Sequence, residues 1–306
     1  MRHGYLPYGL KMSRLALLLL AAGCSANIEA PPVPTATQLQ ASLSPSASLE
    51  TPATATAGAM PTHQVPTLSP APTLSPDEAR DLVRDLLATN AGCRLPCWWG
   101  LTPGETTWGI AERFLSSFAA MNLRGDFPRH FVVDIFVPAL GDEGIYPWQD
   151  YRFRDAILES IKTDDPGPSP TFAFVEFARS YGPPEEVWLR TYSEGVREDP
   201  PSFELALFYP DQGIASAFSL EGAALGDTVR GCPQQAHRPF LGLWSPELNV
   251  TFNEAADMFG WDREEWAFLP LAEATGMDVE AFYEAFSEPN NTSCLETRAD
   301  LWTPQY

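Results

Sequence analysis

The stretch GCRLPCWWG, Gly92 to Gly100, places Cys93 and Cys97 on either side of Arg94, Leu95 and Pro96 and follows them with Trp98 and Trp99. Residues of these types could hold a metal, exchange electrons, offer a sugar platform or staple a loop over a core. A structural zinc site takes four Cys or His ligands at close spacing, and a thioredoxin-like redox site takes C-x-x-C at a helix start. CRLPC meets neither requirement and reads as a structural disulfide. Trp98 and Trp99 then pack over the bridge or remain candidate ligand-binding faces, since an indole lies well against the apolar face of a pyranose ring.

Other chemistry is sparse. The chain lacks the P-loop, the H-E-x-x-H zinc helix, the G-x-S-x-G elbow, the G-x-G-x-x-G fingerprint and the EF-hand loop. Its folded part holds only His130 and His237 and, among lysines, only Lys162. Triads, zinc sites and Schiff-base chemistry therefore lose their raw material; no catalytic residue, cofactor or metal is implied. Carboxylates remain, and glycoside hydrolysis needs only two at the right separation. Glu176, Glu185, Glu186, Glu264 and Glu265 are candidates, although the two Glu-Glu pairs read more simply as solvated or helix-capping acids. The nine tryptophans are the most suggestive feature, with Trp98, Trp99 and Trp108 near the cysteine pair and Trp244, Trp261, Trp266 and Trp302 in the last third.

Charge narrows the partners. Forty acidic residues against 19 basic give a net charge of −21, a field that repels phosphate backbones and excludes nucleic acid. Of the five cysteines, Cys24 sits far upstream, leaving Cys93, Cys97, Cys232 and Cys294. An even number in an exported domain argues for disulfides, and four cysteines allow three pairings. Cys93 with Cys97 and Cys232 with Cys294 is the favoured set, its second bridge fastening the C-terminal helices to the preceding sheet.

The elements that must position these groups begin at SPDEARDLVRDLLATNAG. Ser75 can cap, Pro76 fits the first helical position, Glu78 completes a capping box, and Ala79, Leu82, Val83, Leu86 and Leu87 form one stripe. A second helix is expected from LTPGETTWGIAERFLSSF, with Thr102 as cap and Trp108, Ala111, Leu115 and Phe118 on one face. Strands are expected at 131–137, 187–189, 204–210 and 214–220, the last two joined by the turn PDQG, and again at FLGLWS. A helix ends near Tyr181 before Gly-Pro-Pro. Farther on, Asp262 caps with Glu265 while Trp261 and Trp266 sit as a hydrophobic staple, Met277, Asp278 and Phe282 repeat the staple arrangement, and Pro270 and Gly276 break the run into short helices. The fold class is α+β: an antiparallel sheet, helices on one face, and a helical C-terminal segment. Residues 77–306 form this extracytoplasmic domain, as one unit or as two subdomains parting near residue 240.

Residues 1–23 read as an export signal: Arg2, Lys11 and Arg14, an apolar run from Leu15 to Ala22, then small residues. Translation from Met1 or from Met12 leads to the same cysteine. LLAAGC resembles the lipobox of bacterial lipoproteins, which implies acylation of Cys24 and a lipid anchor in a bacterial membrane. Multiple acyl chains hold where one would let go. Residues 24–76, rich in Pro, Thr, Ser and Ala and nearly free of charge, read as a disordered tether with a root-mean-square span of roughly 40 Å.

The lipobox, the Pro/Thr linker, CRLPCWWGLTPGETTW and YGPPEEVWL together look like a group of bacterial surface lipoproteins. Over about 80 residues, PGETTW with its helix and Gly-Pro element is also similar to outer-membrane-assembly and beta-lactamase-inhibitor-like lipoprotein domains. That resemblance implies two helices covering an antiparallel sheet and a protein-binding module without catalytic residues. The expected function is a membrane-anchored, non-enzymatic lipoprotein that binds an envelope protein or another envelope component. The alternative is a carbohydrate-binding or carbohydrate-cleaving lipoprotein using exposed tryptophan and a carboxylate pair.

Overall fold

The computed structural model describes residues 73–137, 148–164, 166–167, 169–192, 202–236, 239–261 and 267–302. The expected signal, Cys24, the tether as far as residue 72, His237, Asp262, Glu264, Glu265 and Trp266 lie outside these residues, and the tether's expected end at 76 falls inside the first helix. None of the described helices is long and apolar enough to cross a membrane.

Helix α1, Pro76–Thr89, starts as its sequence dictates. Ser75 accepts from the Glu78 backbone, Glu78 reaches back to Ser75, and Ala79, Val83, Leu86 and Leu87 are buried. It stops at Asn90, whose left-handed backbone (φ 52°) a short amide side chain tolerates. Helix α2, Trp108–Leu115, starts later than expected. Residues 102–106 are instead tied to the sheet: the Gly104 N–H donates to the Leu158 carbonyl and the Leu158 N–H to the Thr106 carbonyl. Gly104 (φ +86°) has Ser245 where a Cβ would stand, so a helix from Thr102 gives way to these tertiary bonds. The Leu74 N–H donates to the Ser117 carbonyl, placing the start of α1 beside the end of α2.

The strands follow as β1 Ala120–Asp126, β2 His130–Phe136, β3 Gln149–Arg154 and β4 Ile157–Thr163, then α3 Phe174–Tyr181 and β5 Glu186–Tyr192. Next come β6 Ser202–Tyr209, β7 Ile214–Leu225, β8 Thr228–Gly231 and β9 Phe240–Trp244. The C-terminal part holds α4 Phe252–Phe259, the two-residue β10 Leu269–Pro270, α5 Leu271–Thr275, α6 Val279–Phe286 and β11 Leu295–Arg298. All pairings are antiparallel, in the order β1-β2-β3-β4-β9-β7-β6-β5-β10, and β8 joins the end of β7 to β11. Because β9 sits between β4 and β7, the sheet runs on across residue 240, where the sequence allowed a parting into two subdomains.

The fold is thus α+β, with a large antiparallel sheet, helices on one face and a helical stretch near the C-terminus. Alternate strand residues explain the layering. Val133, Tyr151, Ile161, Leu243, Leu205 and Val187 face the main core with the apolar stripes of α1, α2, α3, α5 and α6. Their neighbours Trp244, Phe208 and Ala215 face the other way, onto α4, which is held by a Thr251–Glu254 capping box. This smaller core reaches β5, β6, β7 and β9 and contains no residue of β1–β4.

Candidate functional site

The cysteine stretch is core. Cys93 is bonded to Cys97, and Cys232 to Cys294. Trp98 and Trp99 are only 0% and 2% exposed, stacked on each other at 5.4 Å, with Trp98 against Phe172 and Trp99 edge-on to Phe118. The Trp98 indole donates to Gln149 Oε1 at 3.1 Å, and the Tyr151 hydroxyl donates to the same oxygen. Candidate ligand-binding faces at Trp98 and Trp99 are therefore corrected: both rings are spent on the interior. A pocket of about 410 Å³ opens beside the bridge, but its cation is committed. Arg94 lies 5.0 Å over the Tyr181 ring and donates to the Ser180 carbonyl, closing the end of α3.

The remaining tryptophans divide clearly. Trp108, Trp244 and Trp261 are buried, and Trp188 is half-buried against Phe252. Trp148, just before β3, is 50% exposed. Its indole donates to Asp150 Oδ1 at 3.0 Å.

Asp150 belongs to a polar row that strand register draws across the sheet. Asn122 on β1 pairs with Asp134 on β2, Asp134 with Asp150 on β3, and Asp150 with Lys162 on β4. Residues directly opposite share a face. The row lies on the side away from the main core, where Arg124 and Phe136 are also exposed. It next meets Gly242 on β9, where Phe259 of α4 occupies the place of a side chain and bounds the row.

Two aspartates side by side cannot both be charged cheaply. Partial burial pushes the Asp134 carboxyl up, but hydrogen bonds from Arg124, Asp150 and Asn122 outweigh it and hold Asp134 below the usual carboxylate range. Arg124 donates two bonds, at 2.7 and 2.5 Å. Burial, then the hydrogen bond to Asp134 and its charge, push Asp150 up, against the opposing pull of Trp148 and Lys162. As pH rises the pair loses its protons in two steps, and Asp150, the member pushed up, is the one that holds a proton longer.

This arrangement recognises better than it reacts. Glycosidase carboxyls stand about 5–10 Å apart across a substrate. Asp134 and Asp150 instead stand directly opposite each other on neighbouring strands, and Asp134 is clamped by Arg124. Neither was a candidate from sequence, although a lone acid inside FVVDIFV was the available signal. Among the described candidate carboxylates, Glu176 pairs with Arg179 on α3, and Glu186, next to Glu185, accepts from the Trp188 indole. His130, at the start of β2, is exposed. Among the described residues no cluster of three or more His, Cys, Asp or Glu could hold a metal. Protein-family models, curated proteins and solved structures yield no match to this chain.

The pair gives a pH prediction with a definite sign. The stability contributed by Asp150, whose carboxyl is raised, is fully present below the unfolded carboxylate range and is lost as pH rises through its raised value. Asp134, held low, contributes above that range and loses its contribution as pH falls through its lowered value. Asp150→Asn keeps a donor for Asp134 and removes the charge that neutral pH forces on the pair. It is expected to stabilise the domain at pH 7 by about 0.2–1 kcal/mol, the scale of a like-charge cross-strand pair. Urea unfolding at pH 4 and pH 7 checks this; an equal gain at both would sink this reading of the pair.

Proposed function

We propose that this chain is a membrane-anchored extracytoplasmic lipoprotein whose folded domain binds an envelope component without transforming it. The anchor is acylated Cys24, the tether spans residues 24–76, and the recognition surface is the outer face of β1–β4. The observation that carries the binding reading is the locked state of the Asp134–Asp150 pair. A carboxylate clamped by two bonds from Arg124, with Asp150 directly opposite it on the next strand, offers fixed hydrogen-bonding groups, not a base and an acid around a gap. The lipobox and the bridges Cys93–Cys97 and Cys232–Cys294 suit an exported protein.

A polysaccharide is favoured as the envelope component by Trp148. It sets a half-exposed ring next to Asp150, with Asn122, Arg124 and Lys162 in the same region. Ring stacking plus planar polar groups is how sugars are held.

Two measurements test the proposal. Cells fed labelled palmitate should label the full chain and leave Cys24→Ser unlabelled; equal labelling would remove the anchor. Titration of the full chain with envelope polysaccharides and peptidoglycan fragments should give saturable binding that Trp148→Ala weakens about tenfold or more, a loss of about 1.4 kcal/mol. Saturable binding untouched by Trp148→Ala would move the site off this face.

A further inference from the structure

A second surface, at the opposite end of the sheet, has the makings of a peptide site. Strand β5 runs from Glu186 to Tyr192, and β6 pairs with it along its whole length. On its other side β10 pairs only at Leu189 and Trp188, because the chain turns into α5 directly after Pro270. At the start of β5, Glu186 and Val187 therefore have no strand partner on that side among the described residues, with the first turn of α5 beside them. Such an edge presents backbone donors and acceptors to another chain.

Beside that edge lies an apolar groove of about 270 Å³, floored by Val187, Leu271, Met277 and Val279 and flanked by Trp188. Trp188 is held in place by stacking on Phe252 at 4.4 Å and by its indole bond to Glu186 at 2.6 Å. The charged residues lining the groove are Glu185, Glu186 and Asp278, all acidic. The floor asks for aliphatic side chains, the rim for cations and the edge for extended backbone.

We infer that this groove binds an extended peptide segment of a partner protein in which apolar and basic residues alternate, added alongside β5 in line with β10. Alternation follows from strand geometry: successive side chains point to opposite sides, so one set enters the groove while the other meets the carboxylates. The chain's own tether does not fit, since residues 25–72 contain neither lysine nor arginine. The inference concerns a different face from β1–β4 and depends on neither the anchor nor Trp148.

The test is fluorescence polarisation of a labelled, N-acetylated Lys-Val-Lys-Val-Lys-Val peptide against the full chain. Saturable binding is expected, weakening as salt rises because the rim pairs are exposed. Glu185→Lys reverses one rim charge, and Ala272→Trp fills the groove from the exposed side of α5. Each should weaken binding about tenfold or more while leaving the unfolding temperature within about 2 °C, since both positions are exposed. A peptide with glutamate for lysine, and one with proline for the central valine, should bind at least as poorly. Equal binding by either control peptide, wild-type affinity in both variants, or no saturable binding at low salt would each overturn the inference.

Discussion

Glu204→Gln is expected to destabilise the domain by about 3–5 kcal/mol, the cost of leaving one member of a buried ion pair without its partner. Glu204 on β6 and Arg190 on β5 face each other across the ladder, with side chains only 7% and 9% exposed and 2.6 Å apart. Arg190 also donates to the Trp261 carbonyl at 2.5 Å and lies 4.3 Å over the Phe268 ring. The guanidinium therefore links β5 to the segments on both sides of residues 262–266. A neutral amide at 204 keeps the shape and removes the charge that makes burial of Arg190 tolerable. Replacing both, as Arg190→Met with Glu204→Leu, should cost much less than either single change, because no unpaired charge is left. Urea denaturation of Glu204→Gln, of the double variant and of its two single components at pH 7 reads this directly. A single-variant loss under about 1 kcal/mol would mean that the pair is solvated in solution.

The sequence made α1 and the central hairpin legible and hid α4 and most of the candidate site. α1 was readable because Ser75, Pro76, Glu78 and its apolar stripe all agree. The β6–β7 hairpin was readable because Pro210 and Gly213 (φ 66°) punctuate two apolar runs. By contrast, β1 carries AMNLRGD, a mostly exposed edge with no apolar alternation to betray it. The β3–β4 hairpin turns through Asp155 and Ala156, both at positive φ, without the asparagine or glycine that such a turn commonly announces. Its register also shifts after Arg152, which breaks the period of two. The polar row draws Asn122 from β1, Asp150 from β3 and Lys162 from β4, and only Asp134 from a strand that could be read beforehand. Juxtaposition by register is a property of pairing, which no single strand's sequence states.

Removing the Cys232–Cys294 bridge, by Cys232→Ser with Cys294→Ser, is expected to cost about 4 kcal/mol, whereas removing Cys93–Cys97 should cost roughly 2 kcal/mol or less. The bridges span 62 and 4 positions, and loop-closure entropy grows with that span. Packing points the same way. Cys294 leads directly into β11, whose Leu295 pairs with Gly231 beside Cys232. The Thr297 hydroxyl of β11 then donates to the Ala274 carbonyl of α5, so one covalent link fastens sheet end, last strand and C-terminal helices. At the short bridge the loop is already held without the sulfurs. Asn90 donates to the carbonyls of Cys93 and Cys97, each at 2.9 Å, and accepts from the Trp99 N–H at 2.9 Å. Thermal unfolding of the two double variants should therefore separate them, with the long bridge lowering the midpoint about twice as far. If the short bridge proved the costlier, covalent strapping of Trp98 and Trp99 would outweigh chain entropy, and the cysteine pair rather than Asn90 would be what seats the two indoles in the core.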